Sequence, residues 1–274
     1  MLLKNKIAVV YGAGGSIGGA VARAFAQEGA YVYLTGHHRS SLQKVFDAIK
    51  TSGGTAEMAE INALDEDAIK KFLDTVIKNK RSLDISFCAI GLQDMHGVAL
   101  VEMSLDDFMR PIDIAMRSQF LTATAAGRVM MKQRSGVILS ITATPGGMTY
   151  PLVGGFGATC VAIEAFSKQL ACELGPHGVR VVTMRSAGSP DSSVFIEAIE
   201  KEDKHKESFV KKIENDTMLK RLPHTNDIAN LAVFLASDKA SSITGTTADI
   251  SCGTTNALNY QFLKIPFHNS FVEA

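Results

Sequence analysis

The stretch Ile7–Gly29, IAVVYGAGGSIGGAVARAFAQEG, decides how the rest of the chain is read. An apolar run, Ile7 to Tyr11, stops at the turn Gly12-Ala13-Gly14-Gly15-Ser16-Ile17-Gly18-Gly19. Beyond it apolar residues recur at helical spacing, at Val21 and Phe25, and Gly29 ends the segment, so the unit reads strand, glycine turn, helix. Tyr31 to Thr35 (YVYLT) supplies the next strand. A glycine turn at a helix N-terminus suits a dinucleotide pyrophosphate, because missing Cβ atoms let the backbone approach and unpaired N–H groups face the anion. The candidate contacts are Gly12, Gly14, Gly15, Ser16, Ile17 and Gly18. A tight turn serving packing alone is the alternative, since a glycine cluster by itself is a weak signal. Ser16 stands where the commoner pattern has a middle glycine; serine is a good helix N-cap, and its hydroxyl could also reach a phosphate.

Strand and helix signals then alternate. Ser40 to Thr51 reads as a helix, Ala56 to Glu60 as a strand, Asp65 to Lys78 as a helix opened by acidic residues, and Ile85 to Ala89 as a strand. Helices covering Ser104 to Lys132 lead to the strand Gly136 to Ile141; Val153 to Glu173 is helical and Arg180 to Met184 a further strand. The succession predicts an α/β fold, a parallel sheet with helices on both faces and ligands at the carboxyl ends of the strands. Ser189 to Asp216 is dense in charge and reads as a solvated helical excursion beside the cleft, with a lid as the functional alternative.

At 274 residues, 46% of them hydrophobic, the chain makes one substantial core and not two, so residues 1–256 are expected to be a single domain. The extension 257–274 carries Tyr260, Phe262, Phe267 and Phe271, which favours a subunit contact over a free tail. Equal numbers of basic and acidic residues, 28 each, leave no electrostatic footprint for nucleic acid. Cys88, Cys160, Cys172 and Cys252 show no C-x-x-C pair and lie mostly in apolar surroundings, the pattern of reduced, buried thiols and not of a disulfide framework or a metal site. No stretch approaches the ~20 apolar residues of a membrane span, and the N-terminus lacks a signal-peptide pattern. The expectation is a cytoplasmic protein with a small-molecule partner, without membrane or nucleic-acid contacts.

Several segments together resemble the short-chain dehydrogenases/reductases. Gly12 to Gly18 is similar to that family's cofactor turn, Cys88-Ala89-Ile90-Gly91 to its N-N-A-G, and Glu173 to Val181 (ELGPHGVRV) to its E-L-G-x-x-G-I-R-V segment. Leu219-Lys220-Arg221, Asp227-Ile228-Ala229, Phe234-Leu235-Ala236-Ser237 and Ile243-Thr244-Gly245 follow in the family's order. The resemblance implies a doubly wound Rossmann-type domain with about seven parallel strands, a nicotinamide cofactor, and a homo-oligomer, dimer or tetramer, built on the long helices. It also implies that Ala89, Ile90 and Gly91 adjoin the cofactor, that Glu60 and Ile61 contact adenine, and that Ser186 and Gly188 lie beside the nicotinamide. Arg185-Ser186-Ala187-Gly188 departs from the family's usual Pro-Gly there.

The family's catalytic quartet is an asparagine, a serine and the tyrosine and lysine of Y-x-x-x-K. Hydride transfer to a carbonyl leaves an oxyanion that needs a proton, and a phenol of pKa about 10 gives and recovers one well only beside a cation. The resemblance places Ala115 at the asparagine position, Ala143 at the serine, and Phe156 and Cys160 at the tyrosine and lysine. None of the four carries the needed group. Thr142, Tyr150 and His96 are the candidate substitutes, with Thr144 and Cys160 behind them; local backbone bonding for the threonines, a cleft or loop lining for Tyr150 and a neutral buried thiol for Cys160 are the competing readings.

At the second strand's end, Thr35-Gly36-His37-His38-Arg39 offers no acidic residue to a ribose, while His37 and Arg39 could meet a 2′-phosphate. NADP(H) is therefore expected over NAD(H). Two functions follow: a binding, sensor or partner protein without ordinary carbonyl reductase activity, or an atypical oxidoreductase with another proton donor.

Overall fold

Every residue of β1 (Ile7–Tyr11) is buried, as a strand in the middle of a parallel sheet requires when helices cover both faces. The computed structural model describes residues 1–200 and 206–257. In it β2 (Tyr31–Gly36), β3 (Thr55–Glu60), β4 (Ile85–Cys88), β5 (Gly136–Ala143), β6 (Val179–Ser186) and β7 (Thr246–Ile250) join β1 in one sheet. All pairings are parallel, in the order β3-β2-β1-β4-β5-β6-β7. The strand order reverses between β1 and β4, which opens a crevice at their carboxyl ends.

The helices are α1 (Ser16–Gln27), α2 (Arg39–Thr51), α3 (Glu66–Lys80), α4 (Leu105–Gln133), α5 (Phe156–Leu174), α6 (Ser193–Glu200), α7 (Lys206–Asn215) and α8 (Thr225–Ala236). Alternation along the strands sends Ala8 and Val10 into one core with Phe25 of α1, Leu42 of α2 and Ile228 of α8. Val9 and Tyr11 face the other, with Ile69 of α3, Met130 of α4 and Leu170 of α5. The doubly wound α/β architecture, with helices on both faces of a seven-stranded sheet, is the expected one.

Several boundaries differ for local reasons. Helix α3 starts at Glu66 because Asp65 is its cap, accepting from the Ala68 N–H. Residues 105–133 form one helix of 29 residues that contains Pro111 within its second turn, where sequence pattern suggested several helices. Helix α5 starts at Phe156, three residues later than expected, since Leu152 and Gly154 take left-handed backbone conformations. The charged excursion holds two short helices, α6 and α7, and residues 201–205 lie outside the described residues. So do residues 258–274, and with them the aromatic tail contact. Burial of the thiols is corrected in part: Cys88 and Cys160 are buried, but Cys172 is exposed and Cys252 half-buried. No helix among the described residues is long and apolar enough to cross a membrane.

Candidate active site

The glycine turn is shaped by contacts that side chains would prevent. Gly12 has φ +78°, and a Cβ there would lie 2.3 Å from the Ala89 carbonyl oxygen of the β4 loop. A Cβ on Gly18 would lie 2.2 Å from Gly12 O, and one on Gly14 would lie 2.4 Å from Ser41 Oγ. Gly15 is different: it is exposed, with no such crowding. It caps α1 without a side-chain hydrogen bond, so first-turn N–H groups face outward without a side-chain partner. Ser16 is the first helical residue and not the cap expected from sequence. Its hydroxyl instead accepts from Ser193 N at 2.9 Å and lies 3.1 Å from Ser193 Oγ, fastening the start of α6 to the turn.

Around the turn, Ala89 and Ile90 are half-buried, Gly91 is exposed with open space around it, and Ile17 is half-buried. Beyond β6, Ser186 Oγ donates to Ala187 O at 2.9 Å, while Phe195 of α6 covers Gly188 closely enough that a Cβ there would meet its ring at 2.6 Å. Ser189 Oγ is buried in the same loop and has no hydrogen-bond partner among the described residues. A close-approach turn, free helix N–H groups and an unsatisfied buried hydroxyl beyond β6 together fit a bound dinucleotide.

At the outer end of the crevice His37, His38 and Arg39 are all exposed. Glu60 Oε1 accepts the Arg39 N–H at 2.9 Å. The segment Thr35–Arg39 itself carries no acidic residue, but pairing of Gly36 with Glu60 across β2 and β3 carries a carboxylate to the start of α2. Ile61 packs half-buried beside it, its N–H bonded to Gly36 O.

In the inner part of the crevice Ala143 ends β5 opposite Ser186. Cys160, one turn into α5, is fully buried and in hydrogen-bonding contact with the Ala143 backbone. Burial pushes its thiol up to about 11, with that backbone hydrogen bond opposing the shift. Ala115 of α4 is also fully buried. Phe156 is half-buried and lies 5.4 Å, ring centre to ring centre, from His96. His96 Nε2 is 2.7 Å from Asp94 Oδ2. Burial raises the Asp94 carboxyl, but hydrogen bonding from His96 and its own backbone more than offsets this and holds it below the usual value.

Thr142 is not bonded to local backbone, the expectation from sequence: its Oγ1 donates to Glu164 Oε1 of α5 at 2.9 Å. Glu164 in turn accepts from Arg185 through Nε at 2.9 Å and Nη2 at 2.5 Å, and from Thr247 Oγ1 at 3.2 Å. Asp249 Oδ2 lies 3.6 Å from Arg185 Nη1. The glycines of the 3-10 turn 144–146 and its cap rest on this pair: a Cβ on Gly146 would meet Glu164 Oε1 at 2.3 Å, and one on Gly147 would meet Arg185 Nη1 at 2.3 Å.

A family model described as enoyl-(acyl carrier protein) reductase matches residues 12–255, a span that includes both the glycine turn and the start of α5. The chain belongs to the short-chain dehydrogenase/reductase family. An uncharacterized oxidoreductase of Bacillus subtilis, YxbG, is 32% identical over 89% of this chain and 88% of its own length. The crystal structure of a short-chain type dehydrogenase/reductase from Mycobacterium marinum is 28% identical, with a TM-score of 0.81 over 93% of this chain and 96% of that one. A xylitol dehydrogenase solved with NAD+ bound shares the fold at 24% identity and a TM-score of 0.86, over 92% of this chain and all of that one. This chain is thus a short-chain dehydrogenase/reductase-family oxidoreductase, and the cofactor class of its relatives is NAD(P)(H).

Cys160 lies beside the Ala143 backbone, and His96 stacks near Phe156 at the start of the same helix. Thr142 and Thr144 are buried, Thr142 turned toward Glu164, and Tyr150 is half-buried on the loop before α5. Sequence reasoning missed Asp94, Glu164, Arg185 and Asp249. Glu164 and Arg185 carried a signal: an acidic residue in the apolar run of α5 and an arginine near the end of a buried strand each demand a partner.

Proposed function

We propose that this chain is an NADP(H)-dependent oxidoreductase that works without a tyrosine–lysine proton relay. The reading is supported by the inner crevice, where a hydrogen-bonded Asp94–His96 pair lies against Phe156 and Cys160 is buried, the last two being the residues that the family resemblance aligns with the relay tyrosine and lysine. Phenylalanine has no proton to give, and a neutral buried thiol supplies no fixed cation. When bound, the reduced nicotinamide supplies hydride to a substrate carbon. The chain's own groups then hold the dinucleotide: first-turn N–H groups of α1 with Gly15 and Ser16 toward the pyrophosphate, and the loop carrying Ser186, Gly188 and Ser189 toward the other end.

NADP(H) is favoured by His37, Arg39 and the N-terminus of α2, all available to a 2′-phosphate. NAD(H) is the second option, supported by the Glu60 carboxylate at the same place. Titration with each reduced dinucleotide, read by nicotinamide fluorescence in a chain with no tryptophan, decides between them. Failure to bind either sinks the redox reading; turnover on a panel of aldehydes and ketones by the loaded protein supports it.

A second reading, a non-catalytic sensor or partner subunit, is supported by the fully buried Ala115 and Cys160, which supply neither an amide nor a fixed cation. Dinucleotide binding without turnover of any carbonyl would favour it. In either form we place the protein in the cytoplasm, as a homo-oligomer joined through α4 and α5, where Phe120 and Val161 are exposed apolar residues.

A further inference from the structure

The loop after β4 brings a carboxylate and an imidazole to the mouth of the inner crevice. His96 lies against Phe156 with ring centres 5.4 Å apart and planes tilted by 49°. Its Nε2 is 2.7 Å from Asp94 Oδ2, which leaves Nδ1 for other work. The His96 side chain is 50% exposed, so water reaches it, while that of Asp94 is only 26% exposed. The loop is fastened to the start of α5. Gly97 N donates to Leu152 O at 2.8 Å, and the Met95 carbonyl oxygen would lie 2.7 Å from a Cβ on Gly154. The Asp94 charge is also felt by the Cys160 thiol, so the pair borders the same interior as Ala143 and Cys160.

We infer that Asp94 and His96 form the acid–base pair of this site, His96 exchanging a proton through Nδ1 with an oxygen of the substrate and Asp94 orienting the ring through Nε2. The inference rests on the oxidoreductase reading. A carboxylate bonded to one ring nitrogen fixes the tautomer and leaves proton exchange to the other. The proton step balances within these groups. The oxyanion left when a carbonyl carbon accepts hydride from the reduced dinucleotide takes the proton: the Nδ1–H bond of the imidazolium breaks, its electron pair stays on the ring, and an O–H bond forms. The neutral ring regains a proton from water at its exposed edge. Asp94 stays ionised throughout and is a positioning residue, its carboxyl held in the charged form by the His96 hydrogen bond against the effect of burial. Cys160 does not compete, being neutral and buried.

The test uses the full chain loaded with the reduced dinucleotide it binds, with 9,10-phenanthrenequinone and a series of aliphatic and aromatic aldehydes as carbonyl probes. His96→Ala is expected to lower kcat about 100-fold, the scale of general acid catalysis, with KM little changed, and added imidazole should restore part of the loss. His96→Gln keeps the bulk of the ring's site and should show the loss without rescue. Asp94→Asn should give a smaller loss. A readout independent of turnover is the reaction of His96 with diethylpyrocarbonate, followed by peptide mass spectrometry in the protein without cofactor. Asp94→Asn should slow it severalfold, with His37 and His38 unchanged as internal references. A dinucleotide-bound protein that turns over none of the probes overturns the inference, as does wild-type kcat in His96→Ala, absence of imidazole rescue, or unaltered modification of His96 in Asp94→Asn. Failure to bind either dinucleotide is a different result and removes the oxidoreductase reading instead.

Discussion

Gly12 shows how much a single position carries in this chain. Its φ of +78° and the 2.3 Å approach of a hypothetical Cβ to the Ala89 carbonyl mean that Gly12→Ala must shift the β4 loop or the turn itself. Reduced-dinucleotide affinity should fall at least tenfold, measured by fluorescence titration, with a loss of thermal stability. Asp94 sets a pH signature. Its carboxyl lies below the ordinary value in the folded protein, so its contribution to stability is fully present above the unfolded value of about 4 and is lost as pH falls through the lower folded value. Urea denaturation of wild type and Asp94→Asn should therefore differ near neutrality, with the gap closing below pH ~4. Neither Asp94 nor its partnership could be read from the chain, because the loop 89–104 has no periodicity and only the fold carries it against α5. The glycine turn was legible, since strand and helix patterns flank it on both sides. Ser16 as a helix cap was not, because a serine's value as a cap depends on where the helix starts, and it starts at Ser16 itself, one residue earlier than a Ser16 cap requires.

Elements meet around one buried ion pair. Arg185 from β6 and Glu164 from α5 are 15% and 7% exposed in their side chains, and they bind the turn 144–146 through Gly146 O at 3.3 Å. Arg185→Met leaves the Glu164 charge buried without its main partner and should cost about 3–5 kcal/mol, seen as a lowered midpoint in chemical denaturation. The double variant Glu164→Gln, Arg185→Met should recover much of that loss, because neither charge is then left behind. The same cluster explains why the strand-and-helix reading succeeded for β5, β6 and α5 while their interior chemistry stayed hidden. Apolar runs announce a buried strand, but the partner of an isolated charge within one depends on which strands become neighbours. The late start of α5 has a similar origin. Val153 continues an apolar pattern, yet Gly155 must sit where a Cβ would be 2.0 Å from the Phe108 carbonyl of α4, so the turn before the helix is shaped by that crossing.

For the whole molecule, α4 and α5 expose apolar side chains on the side away from the sheet, among charged residues such as Arg117 and Lys168. Phe120 is 53% exposed and Val161 52% exposed, and Phe120 pairs with Phe166 at 6.2 Å across the two helices. Leu64, Met116, Phe120, Leu121 and Phe166 line a groove there, together with the charged Glu66 and Arg117. If a second copy covers this face, Phe120→Asp should reduce the molar mass measured by light scattering to that of the 29.3 kDa chain while the far-ultraviolet spectrum is unchanged. Charge balance gave no pointer to this surface, because it is the periodicity of two helices seen together, and not composition, that makes it.

The bridge between Ser16 and Ser193 ties two distant parts of the sequence to one hydroxyl. A phosphate oxygen drawn to the start of α1 arrives beside a group that already anchors α6, so occupancy of the turn and attachment of α6 become thermodynamically linked. Amide exchange at Ser193 then acts as a reporter: it should quicken in Ser16→Ala, and in the unaltered chain its rate should follow dinucleotide concentration, making a single backbone proton a gauge of how full the crevice is.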